Sequence, residues 1–483
     1  SRNHRSVTSC MDAGMVLFIS ISGYSLVVSF FGSASQNFFL VVAQSRWETR
    51  AEFKEIGVKQ LRSYGWLIWM FAAVSSAAAP GIDSKRLAVL ENTLDQYVQD
   101  GRLAGGVLYV SRRGETVLHK AFGWQDRERS IAMNTRSLHR IASQTKAFTS
   151  VAIMLLQERG ALLISDPVSK YFPEWGNTTV AVADSNADAG YRVEPATRPI
   201  TIRDLLTHTA GVNYGRGASQ SAWQQAGILG WYFAGDQESM RDKVRRMAAL
   251  PQAAHPGSQF VYGYNTDILG ALVEHLSGQN LGRFLQQQLF TPLQMNDTYF
   301  FVPPEQKTRL STVYAMTEDG LQRQPTVARA ATNPQNFFFG QGHYMQGQVE
   351  GPRSYSGGAG AVSTAADYAR FLEMLRRGGA LDGVRILGRK TVELMTTNHL
   401  PNEIEYSRPG SGFGLGFNVL MDVGQAGQLG SAGSYGWGGA YHSTYWVDPH
   451  EGLVVSYVTQ LIPATGLDDH AKIRSLLYQA LVD

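Results

Sequence analysis

Helix-like and strand-like patterns recur at the two ends of the chain in mirror order, and this arrangement narrows the folds open to it more than any other feature. Leu87, Leu90, Leu94, Tyr97 and Val98 fall at helical spacing, with Asp83 or Ser84 available as N-cap and Gly101 just past the end. Val107 to Val110 and Thr116 to Phe122 then read as two strands joined around Arg113-Gly114, a hairpin. Near the other terminus, Thr444 to Val447 and Leu453 to Val458 flank the turn Asp448-Pro449-His450-Glu451-Gly452, and Ile473, Leu476, Leu477, Ala480 and Leu481 give a closing helix. Strands from both ends are therefore expected to share one antiparallel sheet with the terminal helices packed on it, an α+β fold. Between them, Asp166 to about Ser354 carries mostly helical patterns (Ile202 to Leu206, Asp267 to Leu276, Leu281 to Leu289) and long polar loops. This predicts an inserted, mainly helical region at about 166–354, with the sheet built from about 79–165 and 355–483. No internal repeat or low-complexity tract interrupts the pattern.

The charge balance excludes several classes of function. Lys plus Arg total 43 against 40 for Asp plus Glu, and a net charge of +3 on 483 residues supplies no field suited to nucleic acid. Cys10 is the sole cysteine, so no intramolecular disulfide, Cys-rich zinc site or Cys-ligated cluster can form. The eleven histidines contain no H-x-H or H-E-x-x-H, the spacings that zinc hydrolysis would need. Residues 1–57 combine an apolar run from Met15 to Phe31, broken by Ser20, Ser22 and Ser25, with an unpatterned polar tail. They read as non-native upstream sequence, with Val58 an alternative start; a membrane-anchoring segment is the competing reading. At 58–78, Lys59 and Arg62 precede the apolar stretch Trp66 to Val74, and small residues follow. That order is a secretory signal peptide too short to span a bilayer, with cleavage expected after Ala78. Either reading predicts export to a periplasmic or extracellular space, with no stable membrane partner after cleavage.

Ile141-Ala142-Ser143-Gln144-Thr145-Lys146 opens an apolar helical run, placing Ser143 and Lys146 on one helix face. A serine hydroxyl is a poor nucleophile until a neighbouring base takes its proton, and a partly buried lysine can serve. The helix N-terminus also presents N–H groups to a developing oxyanion. Alone the spacing is weak, since a surface serine and lysine on an ordinary helix match it equally. Three further segments and one strand motif accompany it in order: Leu205-Leu206-Thr207-His208-Thr209-Ala210-Gly211, Pro256-Gly257-Ser258-Gln259-Phe260-Val261-Tyr262-Gly263-Tyr264-Asn265, Gly357-Gly358-Ala359-Gly360, and Tyr435-Gly436-Trp437-Gly438-Gly439-Ala440.

Together these resemble the serine β-lactamase and penicillin-binding-protein superfamily, and within it the class C-like esterases known as family VIII carboxylesterases, from about Leu87 to the C-terminus. The resemblance implies a β-lactamase/transpeptidase-like fold, Ser143 as nucleophile, Lys146 as its proton acceptor and Tyr262, six residues after Pro256, as the second member of the base pair. Tyr264 competes for that last role and otherwise lines the substrate site. The resemblance also implies an oxyanion hole from the N–H groups of Ser143 and Ala440, with no metal and no cofactor. Penicillin-recognising relatives carry Lys-Thr-Gly or His-Thr-Gly where Trp437-Gly438-Gly439 stands here. Trp437, Gly438 and Gly439 are therefore expected to bind substrate, the indole as an apolar wall suited to a neutral ester, and Tyr441 to line the site beside them. His208 and His442 read as structural, and Asp166 as a turn cap. No G-x-S-x-G elbow occurs, which excludes the α/β-hydrolase lipases. The expected function is hydrolysis of small carboxylic esters by a serine enzyme. The alternatives are a β-lactamase or D-amino-acid-specific peptidase or amidase, and a non-catalytic penicillin sensor or cell-wall binding module.

Overall fold

The computed structural model describes residues 81–483, apart from 229, 231–232, 234–237 and 325–353, together with three short strands near the N-terminus. Those strands, Met15–Ile21, Tyr24–Gly32 and Phe38–Ser45, pair as an antiparallel meander within a unit of their own. The segment read as a signal peptide, 58–78, lies outside the described residues. No described helix is long and apolar enough to cross a membrane.

Residues 79–483 form one compact unit that opens with α1, Ser84–Gln99. Asp83 caps it by accepting from the N–H groups of Lys85 and Arg86, and Leu87, Leu90, Leu94 and Tyr97 form its buried stripe. Strands β1 (Gly105–Arg112) and β2 (Glu115–Asp126) follow as a hairpin around Arg113 and Gly114, both at positive φ, the turn whose twist matches the flanking strands. A short β3, Ile131–Ala132, completes that edge. Helix α2, Thr145–Glu158, is buried from Thr145 to Leu156, so it runs through the core rather than over the surface. Helix α3, Asn265–Ser277, and α4, Ala365–Arg376, pack around it in one continuous apolar cluster. Strands β4 (Ser411–Phe413), β5 (Asn418–Leu420), β6 (Tyr435–Gly439), β7 (Ser443–Asp448) and β8 (Leu453–Thr459) and the closing helix α5, Asp469–Tyr478, end the chain.

The eight strands form one antiparallel sheet in the order β4-β5-β6-β7-β8-β1-β2-β3, so the two chain ends meet at β8 against β1. Alternation along the strands divides the core into two. Trp446, Val455 and Tyr457 face α1 and α5, whereas Tyr445, Val447 and Val454 face α2 and α4. The β5–β6 pairing stops at Gly436, which leaves the outer edge of Trp437–Gly439 without a strand partner and facing the helical side.

The helical region is less uniform than the sequence pattern suggested. It contains two hairpins, Thr179–Ala183 with Tyr191–Pro195 and Tyr314–Thr317 with Gly320–Arg323. The latter returns to the sheet side, where the Tyr314 N–H donates to Gln460 O at 2.8 Å. Four- and five-residue strands carry too little alternation to be recognised.

Helix α3 generates a stability prediction. Burial pushes the Glu274 carboxyl up to about 7, opposed by the hydrogen bond it accepts from the Leu281 N–H at 2.9 Å. The folded state thus holds this proton more tightly than the unfolded chain, and the group costs stability as pH rises from its ordinary value near 4.5 through 7. Glu274→Gln keeps an acceptor for Leu281 but cannot ionise. Scanning calorimetry should show it melting higher than wild type at pH 8 and close to wild type at pH 5; an equal shift at both values contradicts the assignment.

Candidate active site

Ser143 sits on a single 3₁₀ turn, Ala142–Gln144, that feeds directly into α2. The turn is fastened from behind. The Ile141 N–H donates to Ala361 O at 3.1 Å, the Ala361 N–H to Thr145 Oγ1 at 3.0 Å, and the Tyr368 hydroxyl to Gln144 O at 2.9 Å. Ala142 adopts φ +43° while fully buried, a strained setting that turns the next residue outward.

Lys146, one turn along, is 2% exposed. Its Nζ donates to Gly358 O at 2.7 Å and to the Tyr214 hydroxyl at 3.2 Å, and lies 3.3 Å from Ser143 Oγ. The face of Tyr262 lies 4.7 Å away. Burial, reinforced by Tyr262 and Asp267, pushes the Tyr214 phenol well above its usual range, so it stays protonated. Asp267, fully buried at the start of α3, accepts from Ser356 Oγ at 2.7 Å and from the Gly358 N–H at 3.2 Å. It thereby fixes the residue whose carbonyl holds the lysine. A Cβ at Gly358 would lie 2.5 Å from Asp267 Oδ2, which explains the glycine of that segment.

Ser143, Tyr262, Trp437, Gly438, Gly439 and Ala440 line one cleft of about 1140 Å³. Strand β6 approaches the serine turn so closely that a Cβ at Gly439 would stand 2.4 Å from Ile141 O and 2.5 Å from Ser443 Oγ. The glycine is thus required by the neighbouring protein itself. The Trp437 indole N–H donates to the Tyr262 hydroxyl at 3.0 Å, which leaves the phenol proton to point elsewhere.

Residues 90–479 match the family model described as Beta-lactamase. The chain belongs to that family. Esterase EstB of Burkholderia gladioli is 32% identical over 400 residues, covering 81% of this chain and 94% of its own. Lovastatin esterase of Penicillium rubens is 26% identical over 412 residues, 78% of this chain and 94% of its own. The solved structure of EstCE1, a hydrolase with promiscuous acyltransferase activity, superposes with a TM-score of 0.68 at 26% identity, over 82% of this chain and 99% of that one. The kinship inferred from the sequence motifs holds, and this member of the β-lactamase family is a serine hydrolase of the family VIII esterase type.

Two expected lining residues are placed elsewhere. Tyr264 is fully buried between Trp223 and Phe233, with its hydroxyl donating to Gly230 O. Successive even positions in the irregular segment before α3 do not share a face, so Tyr262 turns to the cleft and Tyr264 to the core. Tyr441 is likewise 1% exposed, packed with Leu138, Ala142 and Val362 behind the serine turn. It lies in a tight turn after β6, where His442 at φ +58° reverses the chain and sends the tyrosine inward. His208 is buried and its Nδ1 accepts from Asn265 at 2.9 Å; burial, then the charge of Lys146, lowers its pKa well below the usual value. Asp166 caps its turn through the Leu163 N–H at 2.8 Å.

His442 and His470 line one end of the cleft, with the buried Asp469 beside them. The two imidazoles stack 4.1 Å apart and 15° from parallel, so their in-plane lone pairs do not converge as a metal requires. His442 instead bonds to Asp469 Oδ1 at 2.7 Å. Tyr214, Asp267 and Arg408 escaped the sequence reading. The Arg408 guanidinium lies 4.6 Å over the Trp437 ring and lines the cleft, so the indole face is not the bare apolar wall that was expected.

Trp437→Phe keeps the ring but removes the N–H that orients Tyr262. Turnover of p-nitrophenyl butyrate should fall about fivefold to tenfold in kcat, the worth of one hydrogen bond of about 1 kcal/mol, with little change in KM. An unchanged kcat would assign the tryptophan to packing alone.

Proposed function

We propose that this hydrolase cleaves small carboxylic esters through an acyl-enzyme on Ser143. The observation that carries the reading is the 3.3 Å approach of Lys146 Nζ to Ser143 Oγ at the wall of an open cleft. Gly358 O and the Tyr214 hydroxyl hold the amine in two other directions, leaving its remaining valence for the serine. In the acylation step Lys146 takes the Ser143 proton as Oγ bonds to the ester carbonyl carbon. The backbone N–H groups of Ser143 and Ala440 receive the resulting oxyanion. As the carbon–alkoxy bond breaks, Tyr262 gives its proton to the departing oxygen and regains one by way of Lys146. Water then attacks the acyl carbon and its proton passes through the same residues to Ser143 Oγ as the acyl–Oγ bond breaks, which releases the acid and restores the serine. The esterase relatives and the Trp437-Gly438-Gly439 motif in place of a Lys- or His-bearing one support an ester rather than a peptide as substrate.

Ser143→Ala should abolish ester hydrolysis, and mass spectrometry should find a phosphonate adduct on Ser143; an adduct elsewhere overturns the assignment. Lys146→Ala and Tyr262→Phe should each cost about 10² to 10⁴ in turnover, the usual weight of positioned proton transfer. If Tyr214→Phe is inactive while Tyr262→Phe is near wild type, the proton to the leaving group comes from Tyr214 instead.

The reaction belongs, in this reading, outside the cytoplasm, on the strength of the basic, apolar and small segments at 58–78. N-terminal sequencing of secreted protein should begin at Ala79, and recovery of uncleaved protein only from the cytosol would defeat the export reading.

A further inference from the structure

We infer that Arg408 receives a carboxylate on the alcohol portion of the substrate, so that the preferred esters are those whose leaving group is itself an anion. The inference rests on the esterase reading above and adds a substrate class to it. Its starting point is a cation without a counter-charge. Arg408 stands exposed at the rim of the cleft with its guanidinium stacked on Trp437, and among the described residues no carboxylate pairs with it. The side chains that line the cleft include Arg408 and Arg474 and no Asp or Glu. A guanidinium laid on an indole keeps its donor edge free, and the stack holds that edge in place before any ligand arrives.

The anchoring of the segment adds to this preorganisation. Tyr406, two residues earlier, packs edge-on against Phe260 at 4.8 Å, and its hydroxyl donates to Asn418 at 2.9 Å. Phe413 closes against Trp437 at 5.3 Å. The arginine therefore projects from an anchored loop.

The side of the substrate follows from what Trp437 touches. Its N–H bonds the Tyr262 hydroxyl at 3.0 Å, and the proposed role of Tyr262 is to protonate the departing alcohol. A cation stacked on that same indole is thereby joined to the Tyr262 side of the cleft, the side on which the alcohol departs.

The test compares 3-carboxyphenyl butyrate with its neutral counterpart 3-carbamoylphenyl butyrate in wild type, Arg408→Gln and Arg408→Lys. A charge-assisted contact of this kind is worth about tenfold or more in kcat/KM. Arg408→Gln should therefore lower kcat/KM for the carboxylate ester at least tenfold more than for the amide-bearing one, chiefly through KM. Arg408→Lys should recover part of that difference, and 0.5 M salt should shrink it in wild type because the site is exposed. Equal losses on the two esters would overturn the inference and leave Arg408 as packing for Trp437. A selective loss on mono-p-nitrophenyl glutarate, whose carboxylate is on the acyl side, in place of 3-carboxyphenyl butyrate would overturn it too. Failure of wild type to hydrolyse any of these esters would count against the esterase reading instead.

Discussion

The arrangement depends first on a buried amine held in three directions. Lys146 occupies the first turn of a helix that is buried on all sides, where an amine left without hydrogen-bond partners would be costly. The cost is met by Gly358 O at 2.7 Å, the Tyr214 hydroxyl at 3.2 Å and Ser143 Oγ at 3.3 Å. Each partner belongs to a different part of the chain, so the lysine is also where three segments are tied together. Removing one partner would leave a buried donor unsatisfied and the other two geometries unsupported. Asp267 extends this dependence one step, since it fixes the Gly358 peptide through its N–H while the carbonyl of the same residue faces the lysine. A buried carboxyl and the lysine amine are thereby coupled through one glycine, without the direct contact that would draw the lysine away from the serine.

Close backbone approach is the second constraint. The 3₁₀ turn that carries Ser143 is flanked by the 356–361 loop on one side and the end of β6 on the other. At Gly358 and Gly439 any side chain would collide with Asp267 or with Ile141 O. The glycines of these motifs therefore serve first to bring protein against protein. The open edge of β6 beyond Gly436 is what then remains for a ligand.

How far the sequence revealed this follows from what periodicity can and cannot encode. The two-ended sheet was legible because β1, β2, β7 and β8 are long enough to alternate and their caps and turns are local signals. Ser143 and Lys146 were legible because a helix places residues three apart on one side. Tyr262 was singled out by the family resemblance through its spacing to Pro256, and it does line the cleft, whereas the burial of Tyr264 depends on the path of the chain before α3. Tyr441 misled for the same reason, since a left-handed residue at His442 reverses the chain where a single sequence gives no warning. Tyr214, Asp267 and Arg408 meet the site through contacts at sequence separations of 68, 91 and 29, counted respectively to Lys146, Gly358 and Trp437. Nothing local marks them.

Backbone strain ties these observations together. Among the described residues, seven other than glycine adopt positive φ, and three of them border the cleft: Ala142 beside Ser143, His208 behind Tyr262, and His442 just after Ala440. Such conformations cost on the order of 1 kcal/mol each and persist only where the surroundings leave no alternative. Each has its own restraint. Ala142 is enclosed by Leu138, Val362 and Tyr441, His208 is bound by Asn265 at 2.9 Å, and His442 is bound by the fully buried Asp469 at 2.7 Å. The residues that failed to appear in the cleft thus acquire a physical task, for Tyr441 packs against one strained position and Tyr264 leads into the helix whose first residue, Asn265, restrains another. A cleft that must present a serine, a phenol and a strand edge at fixed separations is held from behind, by buried groups that never touch a substrate.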